Sequence, residues 1–555
     1  MAAPRAHRND TSSSSGSHDD ITPVDERTEF VDLEKNLSDT NTPSSPTPAI
    51  LETELFSVKS FQDDGITLFS PHSTPELALA WPPGWTKQTA SDVPDHGRRG
   101  KVLSKRLSTK GSTPKTDPKT KPAKPQPKVG RWLRFRLWLN TYRGFFIFVT
   151  LLNLVGIVLA ATGHFPYADN HLGALVLGNL LCAILMRNEL FLRCLYTLSI
   201  YGLRSWAPVR VKLAVTSVLQ HVGGIHSGCA LSGAGWLLFK VVDIVLHRAV
   251  QPDSVLATGV VTNVCVMVSI LSAFPWVRNN HHNTFERYHR FIGWLGLAAT
   301  WVFVILGNTY DLKLGAWRAD AHSLLAAQEM WFAAFMTIFV IIPWVTLREV
   351  PVEVELPSPK VAILRFKRGM QQGLLGRISR TSLMEYHAFG IISEGRTADH
   401  HFMICGVQGD FTKGLVSDPP KTVWTRELKF AGVGHASAMF KRGIRICTGT
   451  GIGAALSTCI QSKNWFLIWI GSDQEKTFGP TITGLIHKHI EPERMILWDS
   501  KKRGGRPNSV QLLKDTWTSF GAEVIFITSN MQGNDEMMQG CREAGMHAFG
   551  TLWDF

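Results

Sequence analysis

A Gly-Thr-Gly-Ile-Gly run at residues 449–453 follows an apolar, β-leaning stretch over residues 443–446 and opens into a small-residue helical pattern. Such a turn lets bare backbone approach a diphosphate, while the helix behind it offers unpaired N–H groups and the positive end of its dipole. Gly449, Thr450, Gly451 and Gly453 are therefore candidate nucleotide contacts. Plain tight turns use the same pattern, so the run alone leaves both readings open. A second cluster follows an expected strand at residues 495–498: Lys501, Lys502, Arg503 and Arg506. Four cations there could hold the 2′-phosphate that separates NADP from NAD, and charge favours NADPH over NADH; a solvated basic loop is the alternative. The eight cysteines include no CxxC pair, and neither zinc nor a disulfide framework is indicated. Cys182, Cys194, Cys229 and Cys265 lie in or beside apolar segments, where small packing roles suit them.

Those residues need elements to hold them, and 555 residues exceed one ordinary domain. The net charge of +13 suggests nucleic-acid binding at first, but its location argues against that. Residues 101–128 carry eight lysines and one arginine against one aspartate, interleaved with Pro, Ser and Thr. This is the basic end of a tail over residues 1–130 expected to be disordered, placed where it can meet anionic lipid. No apolar signal-peptide core is visible at the amino end. A membrane region is expected over residues 140–348, with spans at 145–162, 172–186, 255–274, 291–306 and 324–345. Residues 211–246 hold either one span from about 211 to 230 plus a shorter piece at 236–246, or two spans. Six spans place segments 128–143, 187–212 and 277–290 on one side with 13 Lys or Arg, against 4 in segments 164–171, 240–253 and 309–325. The chain is then a multi-pass membrane protein with both termini cytosolic, in the plasma membrane or an endomembrane.

Beyond residue 350 the pattern changes to short β-like runs at 361–366, 373–378, 389–393 and 402–407, which suits an antiparallel barrel over residues 350–440. From residue 441 strands at 444–447, 466–470, 495–498 and 524–527 alternate with helical stretches at 452–461, 481–489 and 535–544. That alternation predicts an α/β domain with a parallel sheet.

The heptad Glu385-Tyr386-His387-Ala388-Phe389-Gly390-Ile391 resembles the His-Pro-Phe-Thr flavin signature of ferric reductases and NADPH oxidases. The resemblance implies that His387 faces the FAD diphosphate and Phe389 packs on the isoalloxazine. Ala388 stands where the pattern has Pro, and Gly390 where it has the hydroxyl residue that bonds flavin N5. Gly409-Asp410-Phe411-Thr412-Lys413 is similar to the superfamily's Gly-x-x-Ser/Thr segment, which receives the diphosphate at a helix N-terminus. Thr412 can cap a helix there while amides and Lys413 neutralise phosphate. The closing Gly550-Thr551-Leu552-Trp553-Asp554-Phe555 resembles ferredoxin-reductase-like enzymes that end on an aromatic covering the flavin, a role implied for Phe555. Gly505-Arg506-Pro507 and their neighbours resemble an oxidase segment near the adenosine end, whereas Thr528-Ser529-Asn530 replaces the Cys-Gly found near the nicotinamide. Taken together, EYHAFG, GDFT, VWTRELKF, TGTGIG and FGTLWDF are similar to fungal membrane flavoproteins of the TmpA type, over roughly residues 140–555. That group is associated with redox-linked fungal development, and similar regions occur fused to adenylating domains.

The superfamily's oxidases hold two transmembrane haems on two helices that each bear a His pair. This chain offers His221, His226 and His289 as haem candidates, but Ala234, Gly235, Val302 and Phe303 occupy the positions where second ligands would fall. Haem is accordingly not expected. The resulting expectation is a membrane flavin oxidoreductase passing electrons from NAD(P)H through FAD to an unidentified acceptor, with no nucleic-acid partner. No catalytic side chain is assigned, because hydride transfer needs orientation more than acid–base chemistry. Two alternatives stay open: a haem-containing ferric reductase or superoxide-forming oxidase, and a redox-sensing signalling flavoprotein with little turnover.

Overall fold

The computed structural model describes residue 135, residues 138–318 and residues 320–552. The expected tail over residues 1–130 and the terminal Phe555 lie outside them. From the amino end come α1 (Thr141–Ala161) and α2 (Pro166–Leu185), a pair α3 (Glu189–Leu203) and α4 (Val209–His221), then α5 (Gly223–Leu246), α6 (Asp253–Ser272), α7 (His282–Thr309) and α8 (Gln328–Val345). All but α3 and α4 are long and apolar enough to cross a membrane. In α1, mean hydropathy reaches 2.4 while no residue is buried within the protein. Apolar surface left uncovered on this scale is what a candidate membrane span presents.

The ambiguous run at residues 211–246 divides differently from either expectation. Its first part, carrying Lys212 and Gln220, belongs to α4, and the candidate span is α5 alone, restarting at Gly223. Helices α3 and α4 pack through Tyr196, Ile200 and Leu219 into the core shared with the β-rich half, so the segment between the second and third spans is a docking element. The last span likewise starts at Gln328 rather than 324, because a separate short helix, Ala321–Ala326, precedes it.

The β-rich half opens with β1 (Leu347–Pro351), β2 (Glu353–Ser358), β3 (Val361–Lys367), β4 (Leu374–Ser379), β5 (His387–Ser393), β6 (His400–Gly406), helix α9 (Asp410–Ser417) and β7 (Thr422–Arg426). These strands pair antiparallel in the order β1-β7-β4-β5-β6-β3-β2, with Phe430–Ala431 added beside β4. The expected barrel is thus an open sheet ending at β1 and β2 among the described residues. One open edge is covered instead of paired, since Thr481 Oγ1 donates to Glu355 Oε2 on β2 at 2.7 Å.

That hydroxyl belongs to the second half, which runs β8 (Gly443–Thr448), α10 (Ile452–Gln461), β9 (Trp465–Gly471), α11 (Gln474–His489), β10 (Met495–Asp499), α12 (Ser509–Phe520), β11 (Val524–Thr528), α13 (Met531–Glu543) and β12 (Ala548–Phe549). Its five strands are all parallel, in the order β10-β9-β8-β11-β12. Unbroken apolar runs such as Trp465–Gly471 fit a sheet buried on both faces. Helix α11 begins earlier than residue 481 because Gly479, at φ +74°, and Pro480 break its periodicity midway. Helix α12 escaped the sequence reading although its signals are present: Asn508 caps its amino end and Gly521, at φ +65°, ends it.

The bundle and the antiparallel sheet meet at Glu189. Its carboxylate, 5 % exposed, lies 2.7 Å from both Arg377 Nε of β4 and Arg426 Nη1 of β7. Arg426 also packs over the rings of Trp344 and Tyr386. Removing one member of such a buried cluster strands the other charges. Glu189→Ala is expected to lower the stability of the full chain by about 3 kcal/mol. Thermal unfolding of the purified protein measures this, together with proteolysis near Thr346, and an unchanged melting curve with unchanged proteolysis would contradict it.

Candidate functional site

Strand β5 turns successive side chains to opposite faces, so His387 and Phe389 share one of them. On that face stands Phe411 of α9: its ring stacks on His387 at 4.1 Å between centroids and on Phe389 at 6.4 Å. The fold therefore brings the heptad and the Gly409 segment together. His387 Nε2 is a buried nitrogen with no hydrogen-bond partner, 3.8 Å from Glu385 Oε1. Burial pushes the His387 pKa below its usual value, against the opposite pull of Glu385 and Glu286. The Thr412 hydroxyl accepts from the amides of Gln408 and Gly409 at 3.0 and 3.2 Å, so it builds the helix entry and is not free for a ligand. The first-turn amides of Asp410, Phe411 and Thr412 are left with no acceptor inside the helix. Lys413 is exposed and lies 3.7 Å from Asp410.

The glycine-rich turn forms a single 3-10 turn, Gly449–Gly451, between β8 and α10. It is fixed by Trp469 Nε1 donating to Gly449 O at 3.0 Å and by a 2.9 Å hydroxyl contact between Thr448 and Ser529. Here the two sheets touch. A Cβ on Gly406 of β6 would lie 2.9 Å from Thr450, and one on Gly390 of β5 would lie 2.4 Å from Ala454 Cα in α10. Gly409 is three residues beyond Gly406, so at most about 10 Å of chain separates the α9 entry from this contact with the glycine turn. The absent hydroxyl at position 390 has a physical cause, since the strand backbone is packed directly on a helix. Similarly, Asn530 in the Thr-Ser-Asn segment caps α13, accepting from Gly533 N at 3.0 Å.

The basic loop follows β10 at the same carboxyl edge of the parallel sheet as the glycine turn, where open α/β sheets receive ligands. It hangs on buried Asp499, which accepts from the amides of Lys501 at 2.9 Å and Asp473 at 3.0 Å. Lys501 Nζ lies 2.7 Å from Asp473 Oδ2 and Lys502 Nζ 3.6 Å from Glu475 Oε2, so two of the four cations face acidic partners. Arg503 lies over Trp498 at 4.5 Å, and Arg506 makes no ion pair among the described residues. The closing segment passes this edge too: Thr551 Oγ1 donates to Ile527 O at 3.4 Å, and Gln220 of α4 to Gly550 O at 2.6 Å.

The three haem candidates stand on three different helices. His221 ends α4 and its Nδ1 contacts Ser217 O of the same helix at 2.6 Å, so it is not on a span. His226 on α5 and His289 on α7 use Nδ1 toward Ala183 O at 2.8 Å and Ser269 O at 3.0 Å. Residues absent from the sequence reading complete the surroundings of His387. Tyr386 N donates to Glu286 Oε1 at 3.2 Å, and Arg290 Nη1 donates to Leu383 O at 2.7 Å, which ties the foot of α7 to the heptad. Their only sequence signal was a charged run at the foot of an apolar segment.

Residues 433–555 match the family described as "Adenylate-forming reductase 03009, C-terminal domain". Over 441 residues, 78 % of this chain, it is 29 % identical to Adenylate-forming reductase 06235 of Coprinopsis cinerea, and over 440 residues it is 29 % identical to Adenylate-forming reductase 03009 of the same organism. The chain spans 42 % of the length of each of these relatives. Among solved structures, flavohemoglobin from Malassezia yamatoensis aligns over 69 % of this chain and 98 % of its own, at 12 % identity and a TM-score of 0.32, a likeness too loose to assign anything here.

The close approach at Gly390 predicts that Gly390→Thr, which supplies the hydroxyl of the resembled pattern, destabilises the protein by about 1–3 kcal/mol and does not improve flavin retention. Thermal unfolding and flavin content check this; a more stable variant that holds more flavin would refute it. His387 gives a pH prediction. A bound diphosphate adds negative charge beside it and raises its pKa, so binding takes up a proton between the lowered free value and the raised bound value. FAD affinity is then expected to rise as pH falls through that window, whose lower edge lies below the ordinary histidine value because burial lowers the free His387 pKa. Titration calorimetry should find the slope in the native protein and a flat profile in His387→Ala.

Proposed function

We propose that this chain is a membrane-bound flavin oxidoreductase that passes electrons from NAD(P)H through FAD to an acceptor in or near the membrane. In this reading residues 140–348 are the transmembrane region, 350–440 hold FAD and 441–555 hold the nicotinamide nucleotide, with residues 1–130 as a cytosolic tail. The observation that carries it is the contact of Gly406 and Gly390 with Thr450 and Ala454, which brings two phosphate-ready backbone turns to the seam between the sheets. Resemblance to reductases over most of the chain supports the same reading. The residues present fit a flavin dinucleotide at its diphosphate: a buried, unpartnered His387 Nε2 and the free first-turn amides of α9 offer donors where negative charge would sit.

When bound, FAD would supply acceptance of a hydride and release of electrons one at a time. The protein's own part is positioning. His387 and the α9 amides orient the diphosphate, Phe389 and Phe411 provide an aromatic wall, and the Gly449–Gly451 turn presents backbone to the nicotinamide nucleotide. Gly390 cannot donate from a side chain, so any contact to flavin N5 falls to backbone. Arg503 and Arg506, the cations without acidic partners, are the pair assigned to a 2′-phosphate and hence to NADPH. Lys501 and Lys502 shape the loop through Asp473 and Glu475. With the lysine- and arginine-rich segments on the side of the β-rich half, that half is cytosolic.

The purified full chain tests this. It should show a flavin spectrum and oxidise NADPH with ferricyanide as acceptor. A split haem α-band in the reduced-minus-oxidised spectrum would favour the haem-containing alternative, and absence of flavin would overturn the reading. Arg503→Ala with Arg506→Ala should raise KM for NADPH about tenfold or more and leave NADH nearly unchanged, as expected for loss of charge-assisted phosphate contacts. Equal losses for both nucleotides would instead place the loop at the shared part of the dinucleotide.

A further inference from the structure

A cavity of about 630 Å³ runs into the helical bundle from the helix ends remote from the antiparallel sheet. Asp169, Asp243 and His247 stand toward its rim, and Leu180 and Thr300 line it deeper. Thr300 lies nine residues before the end of α7 at Thr309, about 13 Å along the axis, so the cavity reaches well into the length of the spans. Its volume is that of a small-molecule site, and it shares no residue with the candidate flavin site.

Charged side chains of opposite sign face this space. Lys240 of α5 places its ammonium 5.7 Å from the centroid of the Phe303 ring. It donates no hydrogen bond and lies within 4 Å of no carboxylate among the described residues; Glu329 and Asp243 are the acidic groups whose fields reach it. Glu329, in the first turn of α8, occupies room that Gly173 leaves open, where a Cβ would lie 2.6 Å from Glu329 Oε1. Asp243 is engaged by His247 at 3.1 Å. Ionisable side chains inside a span are costly and normally meet a counter-charge directly. Here a cation and a carboxylate line one cavity without closing on each other.

The charges select the ligand. A purely anionic molecule would meet Asp169, Asp243 and Glu329; a purely cationic one would meet Lys240. The remaining wall, including Val176, Leu177, Phe303 and Val304, requires an apolar body. We propose that this cavity binds a zwitterionic amphiphile, with its anionic group on Lys240, its ammonium on Glu329 and Asp243, and its apolar part against α2 and α7. That chemistry can come from a phosphatidylethanolamine headgroup or from a free apolar amino acid. The inference does not depend on the flavin reading.

The test uses the purified full chain in two arms. In the first, native mass spectrometry follows lipid retained after transfer from nanodiscs of phosphatidylethanolamine or of phosphatidylglycerol. In the second, thermal unfolding in detergent is followed with and without free L-phenylalanine. Selective retention of phosphatidylethanolamine identifies the lipid as the source, and stabilisation by L-phenylalanine identifies the free amino acid. In either case the effect should fall about fivefold or more in Lys240→Met and in the near-isosteric Glu329→Gln, which serves if the first variant does not fold. No selective retention and no stabilisation in the unmodified chain would overturn the proposal, as would effects that survive both substitutions.

Discussion

The arrangement depends on one buried carboxylate held between two guanidinium groups. Glu189 stands in the first turn of α3, immediately after the second apolar helix, and meets Arg377 and Arg426 from two neighbouring strands of the antiparallel sheet. Desolvating these charges is expensive, and only a complete set with good geometry compensates. The consequence is orientation: the sheet is held beneath the bundle where both guanidinium groups reach the one carboxylate. Arg426 carries the constraint further by packing over Trp344 at the end of α8 and Tyr386 beside His387. Lys429 lies in the same neighbourhood, its pKa pushed down to about 8 by burial and by nearby Arg368, with Nζ donating to Thr425 Oγ1 at 2.8 Å. The position of the heptad around His387 is thus coupled to the foot of the apolar helix bundle by charge and aromatic contacts.

A second constraint acts between the two sheets. Strands β5 and β6 approach α10 and its preceding turn so closely that Gly390 and Gly406 have no room for a side chain. This packing explains a departure from the resembled flavin pattern that sequence comparison alone leaves as an anomaly. It also joins the glycine turn to the α9 entry, so each turn's backbone donors depend on the other sheet for placement. Ser529 shows the same economy: its hydroxyl meets Thr448 beneath the turn, in the segment that departs from the Cys-Gly of the resembled pattern.

The helices do more than anchor the reductase-like half. Helices α3 and α4 leave the apolar bundle to join the core of the β-rich half, and Gln220 reaches Gly550 near the end of the described chain. A segment at the carboxyl edge of the parallel sheet is therefore linked directly to the connection between the second and third candidate spans. At the opposite ends of the same spans, Lys240 and Glu329 line an open cavity instead of pairing, so the bundle has polar features at both ends with different partners.

The sequence by itself determined what local pattern can encode. Apolar runs of spanning length, the strand-to-helix glycine turn and four strands of each sheet were legible because hydrophobic period and turn chemistry are properties of neighbouring residues, whereas the segments around His387 and Thr412 stood out by resemblance. Even the elements missed on first reading had local causes: Gly479 and Pro480 interrupt α11, and α12 has its own cap and stop. Only the tertiary structure decided which distant groups meet. Glu189 and Arg426 are 237 residues apart, and nothing in either neighbourhood announces the other. The same holds for Lys501 and Lys502, whose pairing with Asp473 and Glu475 reduces a four-cation cluster to two available arginines. It holds too for residues 211–221, apolar enough to suggest a span, which the structure spends on docking because Tyr196, Ile200 and Leu219 find a larger apolar core against the β-rich half. Periodicity specifies a face to be buried; which surface buries it is settled by the free energy of the whole packed chain.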